Sequence, residues 1–129
     1  YLPKNIEENS VCYTGTHDND TLLGLIASLN KWDKDNFVLG IKNSLKELKI
    51  KHNLVNERQL ANAIIELGFS SRSKLFILPI WDLCLYGTEY RINQPGIVKN
   101  QNWSVKFNKS IYKKSNIEKL KNLTVKYKR

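Results

Sequence analysis

The chain has 129 residues, 41% of them hydrophobic and 26% charged, which suits one domain of ordinary soluble, globular composition. No apolar run approaches the ~18 residues of a membrane span, and no basic-then-apolar leader opens the sequence. Cys12 and Cys84 are too few and too far apart for a zinc site or a small disulfide scaffold, and both read as buried free thiols in a reducing compartment.

Taken in chain order, Tyr1 to Ser10 is polar, carries Pro3 and reads as a loop. Val11 to Tyr13 is a short β-type run. From about Thr21, the residues Leu22, Leu23, Leu25, Ile26 and Leu29 recur at helical spacing, predicting a helix that ends near Asn30. Asp33 is placed to cap a second helix, in which Phe37, Val38, Ile41, Leu45 and Leu48 keep the same period. Residues 49–56 form a polar link containing His52. Asn56 and Gln59 have capping-box spacing. They precede an amphipathic helix through Leu60, Ala61, Ile64, Ile65 and Leu67, with Gly68 as its stop. After the serine-rich stretch from Ser70 to Ser73 comes Leu75-Phe76-Ile77-Leu78. This unbroken apolar run suits a parallel strand covered on both faces, with Pro79 at its exit. Gly87 to Gly96 is loop-like. Trp103, Val105 and Phe107 alternate over a short extended run, and Trp103 reads as core. From Asn116, Ile117, Leu120 and Leu123 line one face of a terminal helix. Two buried strands separated by helices, each followed by a polar cluster, is the α/β pattern. No internal repeat is visible.

Charge is unevenly spread. From Lys99 onward ten basic residues accompany Glu118 alone, so this end carries the whole net charge of +9 and the body is neutral. A basic end can bind nucleic acid or anionic membrane. The simpler reading is a solvated, lysine-rich terminal helix over residues 109–129, because lysines without interleaved arginines and aromatic readers are weak evidence of recognition. The sequence starts at Tyr1 and contains no methionine, which leads to the expectation of an internal cut from a longer product. Two parallel strands alone cannot satisfy their own backbone, and that leads to the same expectation.

The richest chemistry lies in Thr14-Gly15-Thr16-His17-Asp18-Asn19-Asp20-Thr21. This turn sits between the first strand and the first helix, where βα proteins display reactive side chains, and Gly15 lets the backbone bend sharply. Asp18, Asn19, Asp20 and Thr21 are all good caps, so one or two of them serve the helix start. Capping does not account for His17 beside Asp18.

Val11-Cys12-Tyr13-Thr14-Gly15-Thr16-His17-Asp18-Asn19-Asp20-Thr21 resembles the segment around the seventh barrel strand of the amylomaltase, or disproportionating enzyme, family of 4-α-glucanotransferases. A second block runs from Leu78-Pro79-Ile80-Trp81-Asp82-Leu83 through Arg91-Ile92-Asn93-Gln94-Pro95-Gly96 to Asn102-Trp103. It resembles that family's eighth-strand segment, where an aspartate and an R-x-N-x-P-G run precede an N-W pair. The resemblance implies an α/β fold in which residues 1–129 are a single segment, the C-terminal portion of a (β/α)8 barrel. That portion would hold about the last two βα units plus a terminal helix, with the remainder of the barrel as its partner. It implies a cytoplasmic enzyme that moves α-1,4-glucan segments between maltooligosaccharides through a covalent glycosyl intermediate, with no metal or organic cofactor and no membrane.

In such a retaining site two carboxyl groups do the bond chemistry. By motif position, Asp18 matches a third carboxylate that binds and distorts the reacting sugar, His17 a neighbouring donor to a sugar hydroxyl, and Asn93 a further substrate contact. Nothing here matches the surroundings of the family's nucleophile or its acid/base. Asp20 reads as a cap, Asp82 as a structural anchor, and Arg91 as an organiser pairing with Asp82 or with backbone carbonyls. Trp81 departs from the family, where glutamine is usual. Two other readings stay open: a non-catalytic sugar-binding companion chain, and a nucleic-acid binder working through residues 109–129.

Overall fold

The computed structural model of the chain describes residues 5–98 and 100–129. The loop reading at Tyr1 to Lys4 and the charge at Lys99 lie outside the described residues. Strand β1 (Val11–Tyr13) leads through helices α1 (Leu22–Ser28), α2 (Lys31–Glu47) and α3 (Glu57–Ser70) to strand β2 (Leu75–Ile77). A single turn, α4 (Ile80–Leu83), follows β2 directly. Short 3-10 turns at Thr88–Tyr90 and Lys109–Tyr112 then lead to the terminal helix α5 (Lys114–Tyr127). The two strands pair in parallel, with Val11 opposite Leu75, Cys12 opposite Phe76 and Tyr13 opposite Ile77.

Helix α3 is the hub, since α1, α2 and α5 all pack against it. Its apolar positions Leu60, Ala61, Ile65 and Phe69 join Leu22 and Ile26 of α1 and Leu85 in one buried cluster. A smaller cluster of Leu45, Ala63 and Leu67 joins α2 to the other flank of α3. Burial of side chains such as Ile26, Leu60 and Ile65 stabilises the fold by about 1.5–3 kcal/mol each. The strand pair turns Phe76 towards the helices, where it meets Phe69 edge-on at 5.0 Å between ring centroids.

Several sequence expectations shift by one to three residues, each for a local reason. Helix α1 begins one residue after Thr21, whose hydroxyl accepts from the Gly24 N–H as the cap. Helix α2 is capped by Asn30 rather than Asp33, and the Asp33 N–H is the donor to the Asn30 side chain at 2.9 Å. The capping box at α3 is half formed. Asn56 accepts from the Gln59 N–H at 2.9 Å, but the Gln59 side chain accepts from the N–H of Val55, one residue further out. Gly68 does not stop α3, which continues to Ser70. It is small for another reason: a Cβ there would lie 2.3 Å from the tip of the Phe76 ring. Glycine at this point lets the helix lie flat on β2.

The second strand is covered on one face only. Val11, Tyr13, Leu75 and Ile77 share the other face by register and alternation. They remain 43–57% exposed, and no element among the described residues covers them. The expected extended run from Trp103 to Phe107 is irregular instead. Trp103 has a left-handed backbone with φ of 62°, and Phe107 stacks with Trp81, Tyr86 and Tyr90.

Helix α5 docks through a polar clasp. Glu66 of α3 accepts from Lys126 Nζ and Tyr127 OH, each at 2.6 Å, and lies 2.6 Å from His52 Nε2. Burial pushes the Glu66 carboxyl up, but the hydrogen bonds from Lys126, Tyr127 and His52 outweigh it and hold the group below the usual carboxylate range. At the chain end Arg129 donates to the carbonyls of Phe69, Ser71 and Ser73, tying the terminus of α5 to the entry of β2.

Two outcomes follow from this packing. Gly68→Ala is expected to destabilise the chain by about 1–3 kcal/mol in urea unfolding, because the added methyl drives into the Phe76 ring. A carboxylate held below its unfolded value stabilises above that value and loses its contribution as pH falls through the folded value. Thermal stability of the native chain should therefore drop as pH falls below about 4.3. In Glu66→Gln that part of the pH dependence should disappear.

Candidate functional site

Both strands end on the same side of the molecule, and the polar loops that follow them meet there. The loop after β1 is shaped from within by Asn19. Its side-chain oxygen accepts from the Thr16 N–H at 2.8 Å and the Thr16 hydroxyl at 2.9 Å, while the Asn19 N–H donates to the Thr16 carbonyl at 3.1 Å. This is an Asx-type closure. Gly15 is not in a left-handed conformation, and a Cβ there would meet only ordinary contacts, the nearest at 3.6 Å. The turn rests on Asn19, not on the glycine.

The loop is then anchored from below. Asp82, at the exit of β2, is 1% exposed. One of its oxygens accepts from the Thr14 hydroxyl at 2.5 Å and the other from the Leu22 N–H at 2.8 Å. Burial pushes its carboxyl up, against the pull of those two hydrogen bonds. Asp20 is also committed, accepting from the Thr21 N–H at 2.7 Å and the Thr88 hydroxyl at 3.0 Å. Gly24 faces this pair so closely that a Cβ would lie 2.3 Å from the Thr88 hydroxyl. Thr14 and Thr88 were not singled out in the sequence. Each is 68 positions from its carboxylate partner, and no local pattern signals such a contact.

Above these anchors the three candidate residues converge. Asp18 Oδ1 accepts from Asn93 Nδ2 at 2.7 Å and lies 3.2 Å from His17 Nε2. The Asn93 N–H donates to the His17 carbonyl at 3.0 Å. Arg91 does not pair with Asp82. Its guanidinium donates to the carbonyls of Asp18 and Asn93, both at 2.8 Å, and so clamps the two loops together. The His17 and Asp18 side chains stay 51% and 47% exposed. Asp20 and Asp82 are not part of this exposed group. Beside Asn93 opens a groove of about 830 Å³, walled in part by Tyr90, Arg91, Gln94, Gln101 and Asn102. Trp103 is not core: it is 66% exposed, with its ring 5.0 Å from that of His17.

Three basic residues of this end make contacts with the body of the fold. Lys119 is half-buried, its ammonium pushed down to about 8 by loss of solvent, and it donates to the Leu83 carbonyl at 3.2 Å. Lys126 and Arg129 are engaged with Glu66 and with the entry of β2. No helix among the described residues is long and apolar enough to cross a membrane.

Parallel strands joined through helices, with an acid, an imidazole and an amide gathered at the strands' carboxyl ends, give the chain an α/β layout. The chain belongs to the 4-alpha-glucanotransferase family, whose sequence profile matches residues 1–112. It is 34% identical over 104 residues to the chloroplastic/amyloplastic 4-alpha-glucanotransferase of Solanum tuberosum, an alignment covering 81% of this chain and 16% of that protein. It is 34% identical over 125 residues to the 4-alpha-glucanotransferase of Clostridium butyricum, covering 96% of this chain and 23% of that one. The fold matches an amylomaltase from Streptococcus agalactiae solved in complex with acarbose, with a TM-score of 0.81 and 26% identity over 99% of this chain and 23% of the other. The chain thus spans about a fifth of the length of the relatives it matches.

Asp82→Ala should loosen the whole assembly, since it removes both acceptors and leaves the Leu22 N–H and the Thr14 hydroxyl without their carboxylate partner. The expected cost is about 1–3 kcal/mol. Amide hydrogen exchange at Leu22 should quicken along with it, while exchange at the centre of α3 changes only through the global loss.

Proposed function

We propose that this chain provides the sugar-gripping loops of a 4-alpha-glucanotransferase and forms the C-terminal portion of its (β/α)8 barrel, with about the last two βα units and the terminal helix. Two features support the barrel reading: the parallel strand pair with one uncovered apolar face, and the match to about a fifth of each relative. The remaining strands would close over Val11, Tyr13, Leu75 and Ile77. The observation that carries the functional reading is the convergence of His17, Asp18 and Asn93 above the strand ends.

In this reading Asp18 accepts hydrogen bonds from adjacent hydroxyls of the sugar at the bond to be broken. These bonds strengthen as the ring flattens towards an oxocarbenium ion. Asn93 and His17 hold the carboxylate in place before substrate arrives, so little reorganisation is needed at the moment of reaction. His17 donates to a neighbouring hydroxyl, and the Asn93 amide both donates and accepts. The reacting pair, nucleophile and acid/base, comes from outside these residues, since Asp20 and Asp82 are tied to backbone amides and threonine hydroxyls. The parent enzyme would pass an α-1,4-glucan segment from its covalent intermediate to a maltooligosaccharide acceptor. The two unpaired cysteines of this chain accord with a reducing compartment such as the cytoplasm.

The test uses this chain and maltoheptaose. The native chain should bind the sugar without releasing glucose from maltotriose. Asp18→Ala should weaken binding by about ten- to a hundredfold, the loss of hydrogen bonds to a charged group. Glucose release by the purified chain that disappears in Asp18→Ala would overturn the division of labour. Absence of any binding would overturn the sugar site itself.

A further inference from the structure

We propose that Trp103 is a sugar-stacking platform, its indole carrying the glucose ring next to the one gripped by Asp18 and His17. The inference rests on the sugar-site reading above and extends it to a residue outside the His17–Asp18–Asn93 group.

The backbone holds Trp103 in place from both sides. Its N–H donates to the Ile92 carbonyl at 2.8 Å. The preceding Asn102 closes the loop, accepting from the Gln94 N–H at 3.1 Å and donating to the Ile97 carbonyl at 2.8 Å. Trp103 itself adopts φ of 62°, a left-handed conformation that a bulky side chain rarely takes and that clusters at ligand sites when it occurs. Despite this firm hold, the residue is 66% exposed.

Exposure is not forced by lack of shelter. Trp81, Tyr86, Tyr90 and Phe107 form a stacked aromatic group, with ring centroids 4.1–6.2 Å apart, on the neighbouring loops. Phe107, four residues on, turns into that group, whereas Trp103 turns out to His17. The indole and the Asp18 carboxylate thus both neighbour one imidazole, with the ring centroids 5.0 Å apart and the carboxylate oxygen 3.2 Å from Nε2. A carboxylate beside a wide apolar ring suits a linear glucan. The hydroxyl edge of one sugar meets the acid, and the C–H face of its neighbour lies on the indole, the large, rigid, amphipathic surface that tryptophan supplies.

The test measures maltoheptaose binding to the full chain by NMR titration, with the side-chain N–H signal of Trp81, packed against Phe107, reporting that each variant is folded. In the native chain the Trp103 indole N–H should shift on titration. Trp103→Ala and Trp103→Leu should each bind about tenfold more weakly, the upper range for an aromatic stack. Trp103→Phe, which keeps a ring, should stay within about threefold of native by the same measure. Unchanged binding in Trp103→Ala, with Asp18→Ala still impaired, would overturn the platform and leave the sugar site standing. Leucine binding as well as phenylalanine would overturn stacking by showing that any apolar group suffices. No binding by the native chain would overturn both.

Discussion

The buried carboxylate of Asp82 is the tie on which the loops depend. It leaves β2, enters a site closed to water, and bonds both the Thr14 side chain before the loop and the Leu22 amide after it. A carboxylate in such surroundings is costly unless its oxygens are satisfied. Here each oxygen has one fixed donor, and both donors belong to the other βα unit. The eight residues from Thr14 to Thr21 are thereby held at both ends by a side chain that does not belong to them. Asp20 and Thr88 repeat the device on a smaller scale, and Gly24 makes room for them.

Within that frame the loop divides its labour by position. Asn19 closes the turn, Thr21 caps α1, and Asp20 and Thr14 join the two units. With these roles filled elsewhere, His17 and Asp18 are free to face outward. Arg91 then fixes their height relative to Asn93 by binding one carbonyl from each loop. Such a clamp suits a guanidinium, whose fan of donors reaches two acceptors at once. The outcome is an exposed carboxylate bonded to an amide and beside an imidazole.

Behind the site, α3 carries the fold. It meets α1 and α2 through apolar side chains and α5 through the Glu66 clasp. That clasp changes the meaning of the basic terminus. A run of lysines that looks solvated in sequence has members turned inward, Lys119 onto a carbonyl, Lys126 onto Glu66 and Arg129 onto three carbonyls at the entry of β2. Charge counted along the chain overstates what this end offers to an external polyanion.

Periodicity along the chain is enough to locate the four longer helices to within a few residues, because each buries a stripe set by its own repeat, and the two strands show as short runs of strand-forming residues. The motifs around His17, Asp18 and Asn93 were likewise legible, since a polar cluster after a strand is a local signal. What local pattern could not decide was which groups turn outward. Trp103 alternates with Val105 and Phe107 and looks like core, yet a left-handed backbone at one residue turns it to His17. Gly68 looks like a helix stop, yet it is the gap into which Phe76 fits. Asp18 and Asp82 are chemically alike in the sequence, but one is half exposed and the other sealed. Burial depends on partners tens of residues away, and only the packed chain brings them within a hydrogen bond's reach.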